Sequence, residues 1–327
     1  MSDYNELISG GAPGGAAGAG GAPRPAGGPR AYRGAMKIRR GASDYALDAL
    51  VYFVMIFVLI VMTYPFLYVL ATSISDGTAV TRGEVTIIPI GFSTASYRAI
   101  LTHKLLGSSY LNTILYSVTG TLSVLIVTSL TAYPLSLKKL QTSGMIAKLF
   151  VFTMFFSGGM IPTFLIVKAV GIMNTRLAIV LPAIISAWNV LVMRAFFRSI
   201  PDSLHESAYL DGANDLVVLM RIVLPLSKAV LATIGLFAFV GFWNDFFMAL
   251  LYLSDINKYP LQMILRMILL ASEMTRSDAE SARELINMST QGVKSAIIVV
   301  AIFPIMCLYP FVQKYFVKGI MIGSVKG

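Results

Sequence analysis

The sequence is poor in charged residues, histidine and cysteine. Only 13% of its 327 residues are charged, whereas a soluble domain carries about 25%, so the chain is poorly suited to water. The single cysteine, Cys307, excludes a disulfide within the chain. The two histidines, His103 and His205, fall outside the long apolar stretches, which hold no Ser–His pair, histidine cluster or paired carboxylates. The residues that intramembrane proteolysis or metal chemistry would need are therefore missing from these stretches, and we predict no catalytic residue and no metal site.

A nucleotide-binding motif is also missing. The sequence contains no G-x-x-x-x-G-K-[ST] segment, the loop whose backbone N–H groups hold phosphates. Nothing therefore indicates that this chain hydrolyses ATP itself, and we predict that it is not an enzyme.

The apolar residues are gathered into six long runs without a charge. The runs cover 49–75, 105–137, 149–167, 177–193, 229–244 and 295–313. A helix needs about 20 residues to cross the hydrocarbon core, within a range of about 17 to 25. Five runs reach this length, and the run at 229–244 falls short only because Asp245 interrupts it. We therefore predict an all-α polytopic membrane protein with six transmembrane helices.

A further apolar stretch, LQMILRMILLA at 261–271, is too short to span and carries Arg266. We interpret it as an interfacial helix or as a helix packed against the spans.

The net charge of +10 is interpreted as an orientation signal rather than as a nucleic-acid surface. The clusters KIRR at 37–40 and LKKL at 137–140 flank the first two runs on what is then the same side of the membrane. Cytoplasmic loops carry an excess of Lys and Arg, so we predict that both termini and the loop at 194–228 are cytoplasmic.

The chain divides into three parts. Residues 1–43 are rich in Gly, Ala and Pro and cannot bury enough apolar surface to fold, so we predict a disordered cytoplasmic tail that is not a signal peptide. Residues 44–318 form the six-helix membrane domain, and 319–327 form a cytoplasmic tail. The stretch SGGMIP at 157–162 weakens its helix, which predicts a bend, for ordinary helix packing or around a pathway.

The loop at 194–228 interrupts the apolar sequence with a folded, acid-bearing passage. Ser203 and Glu206 match a capping box at the start of a short helix. Gly212 can take the turn conformation that ends this helix, and Pro225 is expected to stop the second helix. The small residues Ala208 and Ala213 would let another surface approach.

The second helix of this loop has apolar residues at helical spacing. They share one predicted face and are Leu216, Leu219, Met220 and Val223. A plain amphipathic connector remains the alternative to a docking element.

The passage ESAYLDGAN…RIVLPL resembles the EAA motif of permease subunits from binding-protein-dependent ABC importers. Glu206, Ser207 and Ala208 match its first three positions, Gly212 its glycine, and Ile222, Leu224 and Pro225 its end. SGGMIPTFLIVKAVGIMNTRLAIVLP, WNDFFMALLYL and the terminal KYFVKGIMIGSVKG resemble the carbohydrate branch, which is maltose-type and includes LplC-like oligosaccharide permeases. The resemblance covers about residues 45 to 327.

The resemblance implies a type I ABC importer permease fold and a coupling helix that docks on a separate ATPase. The implied coupling residues are Glu206, Ser207, Ala208, Asp211, Gly212, Ala213 and Pro225. The implied partners are a second permease, two ATPase subunits that bind ATP and Mg²⁺, an extracytoplasmic sugar-binding protein, an oligosaccharide and the lipid of a bacterial cell membrane, without nucleic acid. Gly323, Ser324 and Lys326 resemble a tail that enters the ATPase interface, with a frayed end as the alternative.

Two places within the spans combine aromatic rings with amide or carboxylate groups, as sugar sites do. They contain Trp188 and Asn189, and Trp243, Asn244 and Asp245. An acid inside a span is expensive and usually faces a cavity or a partner, so we predict that these residues line the substrate pathway. An interfacial Trp belt and an Asp at the water boundary are the alternatives.

Two competing functions stay open. Permeases for amino acids, metals or phosphate share the EAA loop, so an ABC permease for a solute other than sugar is the nearest one. A self-contained secondary transporter would usually show internal repeats and ion-coupling acids within the membrane, and here only Asp245 qualifies.

Overall fold

The computed structural model describes residues 42–274 and 290–324. Every named element in these ranges is a helix, and the one β contact there is an isolated bridge between Ser75 and Phe92. The all-α prediction is confirmed. Of the predicted tail at 1–43, only the last two residues fall in the described ranges, and Lys326 lies outside them.

Fifteen α-helices are named here in chain order. They are α1 (Ala42–Ser73), α2 (Gly77–Thr81), α3 (Ala95–Leu101), α4 (Leu106–Ser136), α5 (Ser143–Phe155), α6 (Met160–Ala169), α7 (Leu177–Val180), α8 (Ala187–Arg198), α9 (Asp202–Leu210), α10 (Asp215–Val218), α11 (Leu224–Leu226), α12 (Lys228–Asn244), α13 (Phe247–Tyr252), α14 (Leu261–Met274) and α15 (Thr290–Ser324). Two 3₁₀ turns, Leu181–Ala183 and Ile256–Lys258, and a π-helix, Leu219–Val223, complete the described elements.

The six predicted spans correspond to two straight helices, three bent pairs and the last helix. In the described residues, α1 and α4 are long and apolar enough to cross a membrane alone. The bent pairs are α5 with α6, α7 with α8, and α10–α11 with α12, and they bring the described candidate spans to as many as five if each pair is one span. The sixth apolar run lies in α15, whose apolar part is Gln291–Cys307.

The contacts divide the chain into two units. The first ends at Phe57 and, among the described residues, consists of the first part of α1. The second begins at Val58 and holds the remaining elements.

The predicted bend at SGGMIP is present. The axes of α5 and α6 differ by 109°. Gly159 precedes α6 with φ +81°, a left-handed conformation that favours glycine. The break therefore comes from backbone geometry that glycine permits.

The core of the second unit lies where α4 packs against α8 and α12. Its buried side chains include Tyr116 and Val124 from α4, Val190 and Met193 from α8, and Ile234 from α12. Such contacts between helices rest on close packing, because lipid tails are as apolar as the side chains themselves.

Helix α14, which carries the seventh apolar stretch, packs against α4 and α15. Leu261, Ile264 and Leu265 are at most 1% exposed. At its start, the backbone N–H of Leu261 donates to Oγ1 of Thr113 at 2.7 Å. The interpretation of this stretch as a packed helix is confirmed.

Candidate functional site

Helix α9 begins directly after Pro201, which is extended at φ −58° and ψ 134°. The predicted capping box is wrong, because the helix starts at Asp202 and its N-cap position is held by a proline without a side-chain acceptor. Ser203 therefore lies inside the first turn, where its carbonyl accepts from Oγ of Ser207 at 2.8 Å.

The turn after α9 depends on Gly212, as predicted. Its φ is +79°. The N–H of Gly212 donates to the carbonyl of Tyr209 at 3.0 Å, and that of Ala213 donates to the carbonyl of Ala208 at 2.9 Å. This pair of bonds is the Schellman arrangement that closes a helix end. The next helix is then started by Asn214, whose side chain accepts from the N–H of Val217 at 2.9 Å.

The predicted apolar face of the second helix is only half right. Leu219 and Val223 are buried, but Leu216 and Met220 are 58% and 59% exposed. Val218 is fully buried instead, five residues before Val223. Met220 lies within the π-helix Leu219–Val223, in which i→i+5 hydrogen bonds widen the turn and shift the face that points inward, whereas Leu216 lies in the regular α-helix before it.

The second helix ends at Leu226, one residue after Pro225 and before the next span, close to the predicted stop. The helical turns continue to Leu226, and the chain bends by 83° at the following junction, where Ser227 adopts φ −99° and ψ 18°. Proline has no N–H to donate to the preceding turn, so the π-helix directly before it is the local response to this residue. The chain from α10 to α11 is therefore continuously helical, and it breaks at Ser227 before α12 begins.

Two lysines after α4 hold α9 in place. Lys138 forms a hydrogen-bonded ion pair with Asp202, and this hydrogen bond lowers the pKa of the Asp202 carboxyl. Nζ of Lys139 lies 3.7 Å from the centre of the Tyr209 ring, a cation–π contact. A pocket of about 180 Å³ separates these residues from the end of α8.

Tyr209 also ties α9 to α10. Its hydroxyl donates to the carboxylate of Asp215, and burial together with this hydrogen bond raises the pKa of Tyr209 well above its ordinary value. On the same face, the rings of His205 and Tyr133 stack with centres 6.4 Å apart. These contacts were not predicted from the sequence, because the LKKL cluster at 137–140 was interpreted only as an orientation signal.

The opposite face of α9 is open. Ser207 and Asp211 are exposed there, and Leu210 is 89% exposed. Glu206 is exposed too, but it lies at the edge of the inner face, where it lines the pocket with Lys138 and Tyr209. Ala208 is 8% exposed and belongs to the main core cluster. Its small size therefore serves packing within this chain and not, as expected, the approach of another surface. Together the braced inner face and the bare outer face form a rigid projecting knob, here called the α9 knob (Asp202–Ala213).

The residues predicted for the pathway divide by exposure. Trp188 is 62% exposed near the start of α8, where Oγ of Ser186 accepts from the N–H of Asn189. Trp243 is 1% exposed, and its Nε1 donates to the carbonyl of Ala301 at 3.0 Å. Its indole packs between the rings of Tyr110 and Phe239, so the structure favours an anchoring role for it over pathway lining.

The two polar residues after Trp243 lie at the end of α12. Asn244 is exposed, and its Nδ2 donates to the carbonyl of Val240 at 3.0 Å. Oδ1 of Asp245 accepts from the N–H of Met248 at 3.0 Å and so caps α13. The tail residues Gly323 and Ser324 are the last two of α15.

Polar side chains of α4 fasten the connection between α13 and α14. Nδ2 of Asn112 donates to the carbonyl of Asn257 at 2.7 Å, and the hydroxyl of Tyr116 donates to that of Lys258 at 2.8 Å. Lys258 in turn donates to the carbonyl of Asn174 at 2.8 Å. These residues thus work as ties between elements at this end of α4.

Comparison with known proteins gives consistent matches along the chain. Residues 35–322 match the family model described as binding-protein-dependent transport system inner membrane component. The polygalacturonan/rhamnogalacturonan transport system permease protein YtcP of Bacillus subtilis (strain 168) is 41% identical over 280 residues, 86% of this chain and 98% of YtcP. Protein LplC of the same strain is 41% identical over 263 residues, 80% of this chain and 89% of LplC.

A solved structure is similar over the same range. One chain of a bacterial ABC transporter involved in the import of the acidic polysaccharide alginate matches with a TM-score of 0.77 and 35% sequence identity. The match covers 85% of this chain and 99% of that chain.

Proposed function

Because this chain belongs to the family of binding-protein-dependent transport system inner membrane components, we propose that it is the membrane-spanning permease subunit of an ATP-driven importer of oligosaccharides. YtcP, named for polygalacturonan and rhamnogalacturonan transport, and the alginate transporter support a sugar substrate. The chain binds no nucleotide in this proposal, and ATP and Mg²⁺ belong to the partner ATPase.

The observation that carries the proposal is the α9 knob. Its outer face offers Ser207, Leu210 and Asp211 to a partner, while its inner face contacts the lysines that follow α4. The helical segment α10–α11 leads from it to α12 across the 83° bend at Ser227. A push on a flexible loop would be absorbed locally, whereas a push on this braced element moves α4 and α12, the two helices at the centre of the core.

We infer a complex of two homologous permeases, two ATPase subunits and an extracytoplasmic sugar-binding protein in the bacterial inner membrane. Both termini and the α9 knob face the cytoplasm. ATP-driven closure of the ATPase pair draws the two knobs together, and the spans rock from an inward-facing to an outward-facing state. Gly323, Ser324 and Lys326 extend toward the ATPase interface, and Trp188, Asn189, Asn244 and Asp245 line the sugar pathway.

The test is purification of the complex from its native membrane in mild detergent, followed by reconstitution and uptake assays. We expect an ATP-binding subunit and a second permease to co-purify, and ATP-dependent uptake of oligosaccharides when the binding protein is added. Uptake by the chain alone without ATP would contradict the proposal, as would an assembled importer that carries amino acids, metals or phosphate but no sugar.

A further inference from the structure

A row of polar side chains runs along α14 beside the end of α12. Nε2 of Gln262 lies 3.4 Å from Oδ1 of Asn244 and donates to it. Arg266 follows Gln262 by four residues and so lies on the same side of the helix, one turn further on. Asn244 and Arg266 are exposed, and Gln262 is partly exposed.

Arg266 is held in place by an aromatic ring rather than by an acid. Its guanidinium carbon lies 4.5 Å from the centre of the Phe246 ring. Among the side chains that the structure describes, which leave out residues 271–290, the ion pairs join other residues, and none joins Arg266 to a carboxylate. The carboxylate nearest in sequence to Phe246, that of Asp245, accepts from the backbone of α13. The charge of Arg266 is therefore oriented but not neutralised.

The row is rigidly supported. The opposite face of α14 is buried through Leu261, Ile264 and Leu265, which pack against neighbouring helices. The start of the helix is fixed by the hydrogen bond from Leu261 to Thr113. A positioned cation beside two amide groups thus stands on a fixed element, as a specific binding site requires.

Two amides, an aromatic ring and a free guanidinium together suit a sugar that carries a carboxylate. Amide groups can both donate to and accept from hydroxyls, and arginine binds carboxylates through two parallel N–H···O bonds. A neutral sugar would offer Arg266 no carboxylate with which to form an ion pair.

Building on the proposed function, we propose that Asn244, Gln262 and Arg266 form a substrate contact site and that the cargo is a uronic-acid oligosaccharide. Arg266 is its specificity-determining residue, and a carboxylate of the sugar is its ligand. The names of two similar proteins agree, since one transports polygalacturonan, a chain of uronic acid units, and the other an acidic polysaccharide.

The test uses the complete importer in liposomes with its binding protein, and compares uptake of trigalacturonate with uptake of neutral oligosaccharides of equal length, including the methyl ester of trigalacturonate. Losing a hydrogen-bonded charged contact costs about 1.5–3 kcal/mol, so Arg266→Gln should lower trigalacturonate uptake about ten- to a hundredfold. Arg266→Lys should recover part of the loss. The matched control is Arg98→Gln, which removes another exposed arginine, on α3, and should leave uptake unchanged.

Each of the other possible results would contradict one part of the proposal. If the wild-type importer carries neutral oligosaccharides but no trigalacturonate, the acidic cargo is wrong while the importer function stands; if it carries no oligosaccharide, both are wrong. Equal trigalacturonate uptake by the Arg266→Gln and Arg98→Gln variants would remove the role of Arg266. A loss in Arg266→Gln that affects acidic and neutral sugars alike, or a wild-type dependence on anionic lipid that this variant lacks, would assign Arg266 to structure or to lipid phosphate.

Discussion

At the scale of single residues, the turn after α9 depends on the backbone of Gly212. No heavy atom lies within 4 Å of the position that a Cβ would take there, so space is not the constraint. The constraint is the φ of +79°, which costs an L-residue about 1–2 kcal/mol and suits β-branched side chains least. A substitution therefore acts on the shape of the α9 knob without a clash.

We predict that Gly212→Val leaves the protein inserted but lowers ATP-dependent uptake and weakens co-purification of the ATPase, because the knob changes shape. Uptake by the reconstituted importer and the yield of ATPase subunit measure the effect. The matched control is Gly83→Val, which has φ +73° and equally open surroundings on another exposed turn and should keep normal ATPase association. If both variants retain full uptake, the coupling role of this turn is wrong.

Single residues differ in how well the sequence predicts them. Gly212 was predictable because few residues other than glycine adopt its conformation at low cost. The cap at Ser203 was not, because a cap depends on where the helix begins, and the N-cap position is held by Pro201, two residues earlier. The burial of Trp243 was not predictable either, because burial depends on contacts from distant helices.

At the scale of elements, the ring of Phe242 on α12 packs directly against Gly120 on α4. A Cβ on Gly120 would lie 2.4 Å from a ring carbon of Phe242. This distance is far below contact, so any side chain must displace the ring or separate the helices. Small residues permit such close approach in membrane helices.

We predict that Gly120→Ala destabilises the protein by about 1–3 kcal/mol, the usual cost of overpacking, and lowers its melting temperature in detergent. Adding Phe242→Leu should restore part of the loss by removing the obstructing ring. Gly241→Ala serves as control, since it makes the same change in α12 with no heavy atom within 4 Å. A Gly120→Ala protein that melts with the control or above it would contradict this packing.

The elements show where sequence periodicity stops being informative. The six apolar runs and the bend at SGGMIP follow from composition and from glycine and proline. The π-helix does not, because the argument assumed 3.6 residues per turn, whereas Val218 and Val223 are buried five residues apart. Met220, which lies within the π-helix, was misplaced for this reason.

At the scale of the whole molecule, the account depends on contacts that join distant parts of the chain. Lys138 and Asp202 are 64 residues apart in sequence, and their pairing fixes the α9 knob to α4. Arg266 and Phe246 are likewise brought together by two different elements. No local pattern carries such information, so the sequence predicted the knob but neither its bracing nor the row on α14.

The central claim is that a separate ATPase binds the α9 knob on the cytoplasmic side of the membrane. The most direct measurement places a photo-cross-linking amino acid at Leu210, which is 89% exposed, and at Phe92, which is 77% exposed, and identifies the captured proteins from intact cells by mass spectrometry. We predict that position 210 captures an ATP-binding subunit and that position 92 does not. Capture of the extracytoplasmic binding protein at position 210, or of the ATPase at position 92, would contradict the account.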